Sequence, residues 1–248
     1  MSDAALDSVR ADLAPTGTLR AGINMANMLL VTGRTADGTP EGVAPDMIRA
    51  IAERLGVPFD LVPCPMPGPA ADALTAGEVD IVPIAIEAER AKTIAFSPPY
   101  CGIEATYLVP GDSPLASIAE VDSPGTRIAV AGRAAYDLYL SRTLRHAELV
   151  RAEGLPGAVD LFVREGLDAL AGLRPALLDN AKDIPGARLL DGSYTIIRQA
   201  IGTARGREAG AGFVAAFVGE AIRSGFVADL LERHGVADRL TIPQDAQS

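Results

Sequence analysis

Tryptophan is absent from this 248-residue chain, and aromatic residues together make up only 4% of it. The interior must therefore be packed from aliphatic and small side chains, which a 48% apolar content supplies. Basic charge is in short supply: 22 Lys and Arg stand against 32 Asp and Glu, a net charge of −10. Nucleic acids and anionic membrane surfaces require a basic face, so neither is expected as a partner. No apolar run approaches the ~20 residues that span a bilayer, so membrane insertion is not expected. The two cysteines, Cys64 and Cys101, are too few for a disulfide framework. They read as small buried hydrophobes, with a bond between them left open. The two histidines, His146 and His234, fall in late helical turns, where a surface imidazole suits the negative helix end. No grouping of His, Cys, Asp and Glu has metal-site spacing. Neither a P-loop nor a Gly-x-Gly-x-x-Gly run occurs, so no metal and no cofactor are expected.

The chain does have a regular alternation of strand and helix signals. Strands are expected over 18–24, 57–63, 79–86, 104–109, 127–131, 167–173 and 194–202. Helices are expected over 3–13, 45–56, 69–76, 134–144, 158–165, 174–182, 207–224 and 227–234, with a short helical connector over 114–121. In the helix from Pro45, the apolar residues Met47, Ile48, Ile51, Ala52 and Leu55 share one face, and Gly56 supplies the stop. Such alternation implies an α/β protein with largely parallel sheets. The plan strand, helix, strand, helix occurs twice, over 20–96 and again over 127–190, which indicates two α/β lobes. Residues 1–17 lack a basic segment followed by an apolar one, so they are not a secretory signal. Either a signal was removed or the chain never carried one, the latter being a cytoplasmic expectation.

The most specific segment is GEVDIVPIAIEAERAKTIAFSPPY, residues 77–100. It resembles the signature of the family 3 extracellular solute-binding proteins, the periplasmic amino-acid receptors of ABC transporters. Further matches follow in the family's order: Leu19–Ile23, Gly42–Gly56, Gly125–Val130, Tyr136–Leu140 and Gly225–Leu231. The resemblance spans about residues 16–236. It implies a two-lobed type II periplasmic-binding-protein-like fold, with two mainly parallel sheets joined by two crossing strands. Residues 1–103 and 197–248 would form lobe I and 104–196 lobe II, with the crossings near 102–104 and 195–198. A ligand would bind in the cleft between them, by hinge closure.

The resemblance also implies roles. Arg90 matches the arginine that grips a ligand carboxylate, a task suited to a planar guanidinium. Read by itself, it is a solvated charge on a turn, with Glu87 and Glu89 at hand to pair with it. Gly132–Ala135 opens a helix, where backbone N–H groups attract anions. Ala134 and Ala135 would bind through the backbone, and Arg133 either adds positive charge or faces solvent. Asn24 and Asn27 lie in the loop that enters the cleft, or are simply turn-forming asparagines. Ala85, like Pro83, stands where many members carry a hydroxyl, and Gln199 lies at the second crossing. The departure is Leu173. Amino-acid receptors place there an acid for the ligand ammonium, whereas here Leu173 is followed by Arg174, which could add positive charge to the cleft.

The expectation is therefore a monomeric binding protein for a small carboxylate other than a standard α-amino acid, working with an ABC transporter permease. Two alternatives stay open. One is a cofactor-free lyase of the cyclohexadienyl-dehydratase type, with Glu104, Cys101 or Tyr136 as acid. The other is a cytoplasmic sensor or scavenger on the same fold.

Overall fold

The computed structural model describes residues 2–243. In chain order the elements are α1 (Asp3–Leu13), β1 (Leu19–Asn24), β2 (Gly33–Arg34), β3 (Pro40–Glu41), α2 (Val43–Leu55), β4 (Phe59–Cys64), α3 (Pro67–Thr75), β5 (Ile81–Ala85) and β6 (Ile94–Phe96). They continue with β7 (Cys101–Val109), β8 (Arg127–Ala131), α4 (Ala135–Thr143), β9 (Glu148–Ala152), α5 (Gly154–Glu165), β10 (Ala169–Leu173), α6 (Arg174–Ala181), β11 (Arg188–Leu189), β12 (Thr195–Ala204), α7 (Glu208–Arg223) and α8 (Phe226–Arg233). Single 3-10 turns cover Arg90–Lys92 and Ile118–Glu120. No single helix among the described residues is long and apolar enough to cross a membrane.

The chain divides into two compact units. The first takes the chain up to Gly102 and again from Arg198, and the second is Ile103–Ile197. In the first unit β4, β1 and β5 run parallel, and β12 joins β5 antiparallel, with β6 antiparallel on its other side. In the second, β9, β8 and β10 are parallel, and β7 joins β10 antiparallel, with β11 beyond it. Within each unit a parallel set of strands is thus flanked by antiparallel ones. The fold is the α/β type II binding-protein arrangement that the sequence implies.

The apolar face of α2 is buried as its spacing requires: Met47, Ile48, Ile51, Ala52 and Leu55 are at most 1% exposed. Burying each large one contributes about 1.5–3 kcal/mol. The helix starts two residues before the expected Pro45, because Gly42 caps it at φ 145. A Cβ at Gly42 would lie 2.4 Å from the Leu30 carbonyl, so only glycine permits this approach. The left-handed Gly56 (φ 66) ends it as expected. In the second unit Leu108, Ala129, Ala158, Phe162, Leu170 and Leu177 form a core between sheet and helices. The rings of Tyr107 and Tyr194 pack at a tilt of 38° in the same unit, with centroids 4.6 Å apart.

Polar ties reinforce the first unit. Asp80, 0% exposed, holds Arg20 through Nε (2.9 Å) and Nη2 (2.8 Å), and holds Arg207 at 3.1 Å. This joins β1, the start of β5 and the start of α7. The hydrogen bond and charge of Asp80, working against burial, push Arg20 above its ordinary value.

Several expectations need correction. His234 is not a surface imidazole: it is 15% exposed and bridges Asp46 Oδ2 (2.9 Å) and Thr32 Oγ1 (3.3 Å). His146 lies past α4, in a bend where its backbone N–H donates to Asp122. The connector over 114–121 shrinks to a 3-10 turn. The strands β2, β3, β6, β9 and β11 were not expected. Cys64 and Cys101 are free and buried, so no bond joins them.

Candidate functional site

In the first unit the candidates gather at one edge of the sheet. The strands β1 and β5 end in parallel at Asn24 and Ala85, and β12 begins its pairing with β5 at Gln199 opposite Ala85. This is the carboxyl edge of the parallel strands, where α/β sheets bind ligands. Just past β5 the chain turns through Glu87 into the 3-10 turn that starts at Arg90. Arg90 is only 7% exposed, and its Nη1 donates to the Ala85 carbonyl at 3.0 Å. The surface-charge reading of this arginine is therefore wrong. Of its two acidic neighbours, Glu89 lies at the surface in an ion pair with Lys92 at 2.6 Å, whereas Glu87 is buried as Arg90 is. Gln199 is 4% exposed, and its carbonyl accepts from Tyr100 N at 2.9 Å.

Asn24, the last residue of β1, and Asn27, in the turn that follows, are half-buried. Each uses its side-chain oxygen locally, Asn24 accepting from Ala26 N (3.2 Å) and Asn27 from Leu29 N (3.3 Å). Both are thus turn-formers, as the simpler reading had it. What they retain for a ligand is the donor half of each carboxamide.

The second unit has its own carboxyl edge, at the ends of β8 and β10. After β8 the chain turns through Arg133, the one non-glycine with positive φ (61) among the described residues. Arg133 is exposed, and its backbone N–H donates to Asp137 Oδ2 at 2.8 Å. Asp137 is itself buried, stands in the first turn of α4 and also takes Arg151 Nε at 2.9 Å. One donor at this helix start is therefore satisfied from within. Ala134 and Ala135, 7% and 6% exposed, carry no side chain that caps the helix. Any anion seat here is made by backbone N–H groups of the first turn. Beside them, burial first and the Asp137 charge second push the Tyr136 hydroxyl above its ordinary value, so it stays a neutral donor.

Leu173 ends β10 opposite Ala105 of β7. One step further along the same register, Arg174 meets Glu104, Nε to Oε2 at 2.6 Å, and its Nη2 donates to the Gly192 carbonyl. Arg174 therefore sits in an ion pair instead of standing as an isolated charge. The partner Glu104 was not foreseen as such, because nothing local in sequence signals a pairing that spans the β7–β10 register. Among the described residues no group of three or more His, Cys, Asp or Glu side chains is arranged to hold a metal ion.

The comparisons agree on kind. A mutant of ArgBP from T. maritima superposes with a TM-score of 0.73 at 21% identity, covering 93% of this chain and 99% of that one. The ancestral amino acid-binding protein AncCDT-1, a precursor of cyclohexadienyl dehydratase, gives 0.72 at 24% identity, covering 92% and 98%. The substrate-binding protein AbpA from Streptococcus pneumoniae, bound to L-arginine, gives 0.72 at 18% identity, covering 92% and 98%. At these identities the likeness is one of fold. A search among curated proteins finds no match. The family model for bacterial extracellular solute-binding proteins, family 3, matches residues 20–237. The chain belongs to that family of solute-binding proteins.

Proposed function

We propose that this protein closes its two units on a small carboxylate without an α-ammonium group and presents it to an ABC-type importer. The observation that carries the reading is Arg90: a guanidinium 7% exposed at the carboxyl edge of the first sheet. A planar guanidinium held at this edge has the geometry to give a carboxylate two parallel hydrogen bonds. Ala85 fixes one of its nitrogens, which holds the plane in place. The backbone opening of α4 completes the anion site from the second unit. Gln199 and the donor groups of Asn24 and Asn27 read the uncharged remainder of the ligand.

The absent ammonium follows from two residues. Leu173 cannot pair with a cation, and Glu104, the next carboxylate in register, is already neutralised by Arg174. Binding is preferred to turnover because a lyase needs a placed general acid. Cys101 is 0% exposed and burial holds its thiol well above the usual range, Glu104 is ion-paired, and burial likewise raises the Tyr136 hydroxyl, which gives up its proton less readily.

The test is a thermal-shift screen of small carboxylates against the parent and Arg90→Ala. We expect hits that raise the melting temperature of the parent alone, with affinity lowered about 100-fold in the variant. A hit that stabilises both proteins equally removes Arg90 from the site. Consumption of the ligand during incubation would favour the lyase.

A further inference from the structure

Arg174 opens α6, the end of a helix where a cation is unfavourable. Its position is nevertheless fixed by two acceptors from distant parts of the second unit. Nε binds Glu104 Oε2 at 2.6 Å, and Nη2 binds the Gly192 carbonyl. Glu104 follows Ile103, where the chain enters this unit, and Gly192 lies shortly before Ile197, where it leaves. The same two stretches are joined again nearby. Thr106 Oγ1 donates to the Gly192 carbonyl at 3.0 Å, and Tyr194 N donates to Ala105 O at 3.0 Å. The side chains of Arg174 and Glu104 are 26% and 46% exposed. An ion pair this open adds little to global stability, so stability alone is a poor reason for it. What a guanidinium adds over an ammonium is a rigid fork that reaches two acceptors at once.

We infer that Arg174 is a hinge-positioning residue and not a ligand contact. By holding Glu104 and Gly192 on one guanidinium, it fixes the spacing and direction of both segments through which the chain leaves the second unit. It thereby limits how widely the units range when no ligand is bound. The inference rests on the clamp reading above and assigns to Arg174 a role in the motion instead of in recognition.

The test uses the full chain with dyes attached through Glu78→Cys and Arg164→Cys, both exposed positions, one in each unit. The native cysteines are buried and stay unlabelled. Single-molecule distance distributions are recorded without ligand for the parent, Arg174→Ala, Arg174→Lys and Glu104→Gln. Arg174→Lys keeps the charge opposite Glu104 but cannot span to Gly192. We expect Arg174→Ala and Arg174→Lys to widen the distribution roughly twofold. Arg174→Lys should keep its melting temperature within about 2 °C of the parent, and Glu104→Gln should fall between. Distributions that superimpose on the parent's overturn the inference. So does an Arg174→Lys protein with an unchanged ligand-free distribution and weakened binding, which would make Arg174 a ligand contact. The clamp reading is judged separately, on the parent with added succinate, hydrocinnamate or L-arginine. If none of these shifts the distance, closure is contradicted, while the ligand-free comparison of variants still decides the role of Arg174.

Discussion

A guanidinium that is 7% exposed and pinned to the carbonyl of Ala85 has given up most of its water, and the residues around it decide what it is for. Arg90 was legible because its motif is contiguous: strand, acidic turn, arginine and double proline lie within 24 residues, 77–100. Arg174 was legible only as a charge, since its two acceptors come from residues 104 and 192. The asparagines were legible as a choice between turn and ligand, and their oxygens serve the turn. The structure adds polar atoms that no local pattern would flag. The hydroxyls of Tyr100 and Thr203 are buried with no hydrogen-bond partner in the described structure, and both residues are 0% exposed. An unsatisfied buried hydroxyl costs about 1–3 kcal/mol. Thr203→Val, which keeps the β-branched shape on β12, is therefore expected to be neutral or to stabilise by about 1 kcal/mol. Denaturant titration reads this directly, and a loss of stability beyond that size would show that the hydroxyl has a partner.

Elements with strong periodicity formed where their patterns lay: α1, α2, β8 and the two closing helices depart from expectation by two residues at most. The elements that escaped notice are short or lie at an edge. In β9 every residue keeps some exposure, so the apolar alternation that marks a half-buried strand is blurred. What holds elements to one another is less readable still, because it depends on tertiary pairing. Asp80 ties β1, β5 and α7 through two arginines whose side chains are 26% exposed, so its removal costs the charged hydrogen bonds but leaves guanidiniums that water reaches. Asp80→Ala is expected to cost about 1.5–3 kcal/mol in chemical denaturation, and a loss below 1 kcal/mol would dismiss the tie. Asp122 offers a test by pH. Burial opposes its charge, but the N–H groups of Ala147, His146 and Arg145 outweigh this and hold the carboxyl below its ordinary value. A depressed folded value means the contribution is complete above the unfolded value, about pH 3.9, and is lost as pH falls through the folded one. The melting temperatures of the parent and Asp122→Asn should thus differ at neutral pH and converge below about pH 4. A constant gap across that range would contradict the assignment.

Taken as a whole, the molecule presents two carboxyl edges. Asn24, Ala85, Arg90 and Gln199 lie on the first, and Arg133 to Ala135, Leu173 and Arg174 on the second. Family and fold were legible because an ordered set of weak motifs runs from Leu19 to Leu231, and no single one of them would have sufficed. The ion pair of Arg174 with Glu104 beside Leu173 was not legible, because it spans the register between two strands far apart in sequence. The most direct measurement of the central claim is calorimetric titration of the full chain with carboxylates that differ only in the α-ammonium. L-aspartate against succinate and L-phenylalanine against hydrocinnamate are suitable pairs. The account predicts that in the pair that binds, the member without the ammonium binds at least about tenfold more tightly, and that Arg90→Ala abolishes the heat. Tighter binding of the amino acid, or a titration unchanged by Arg90→Ala, would contradict it.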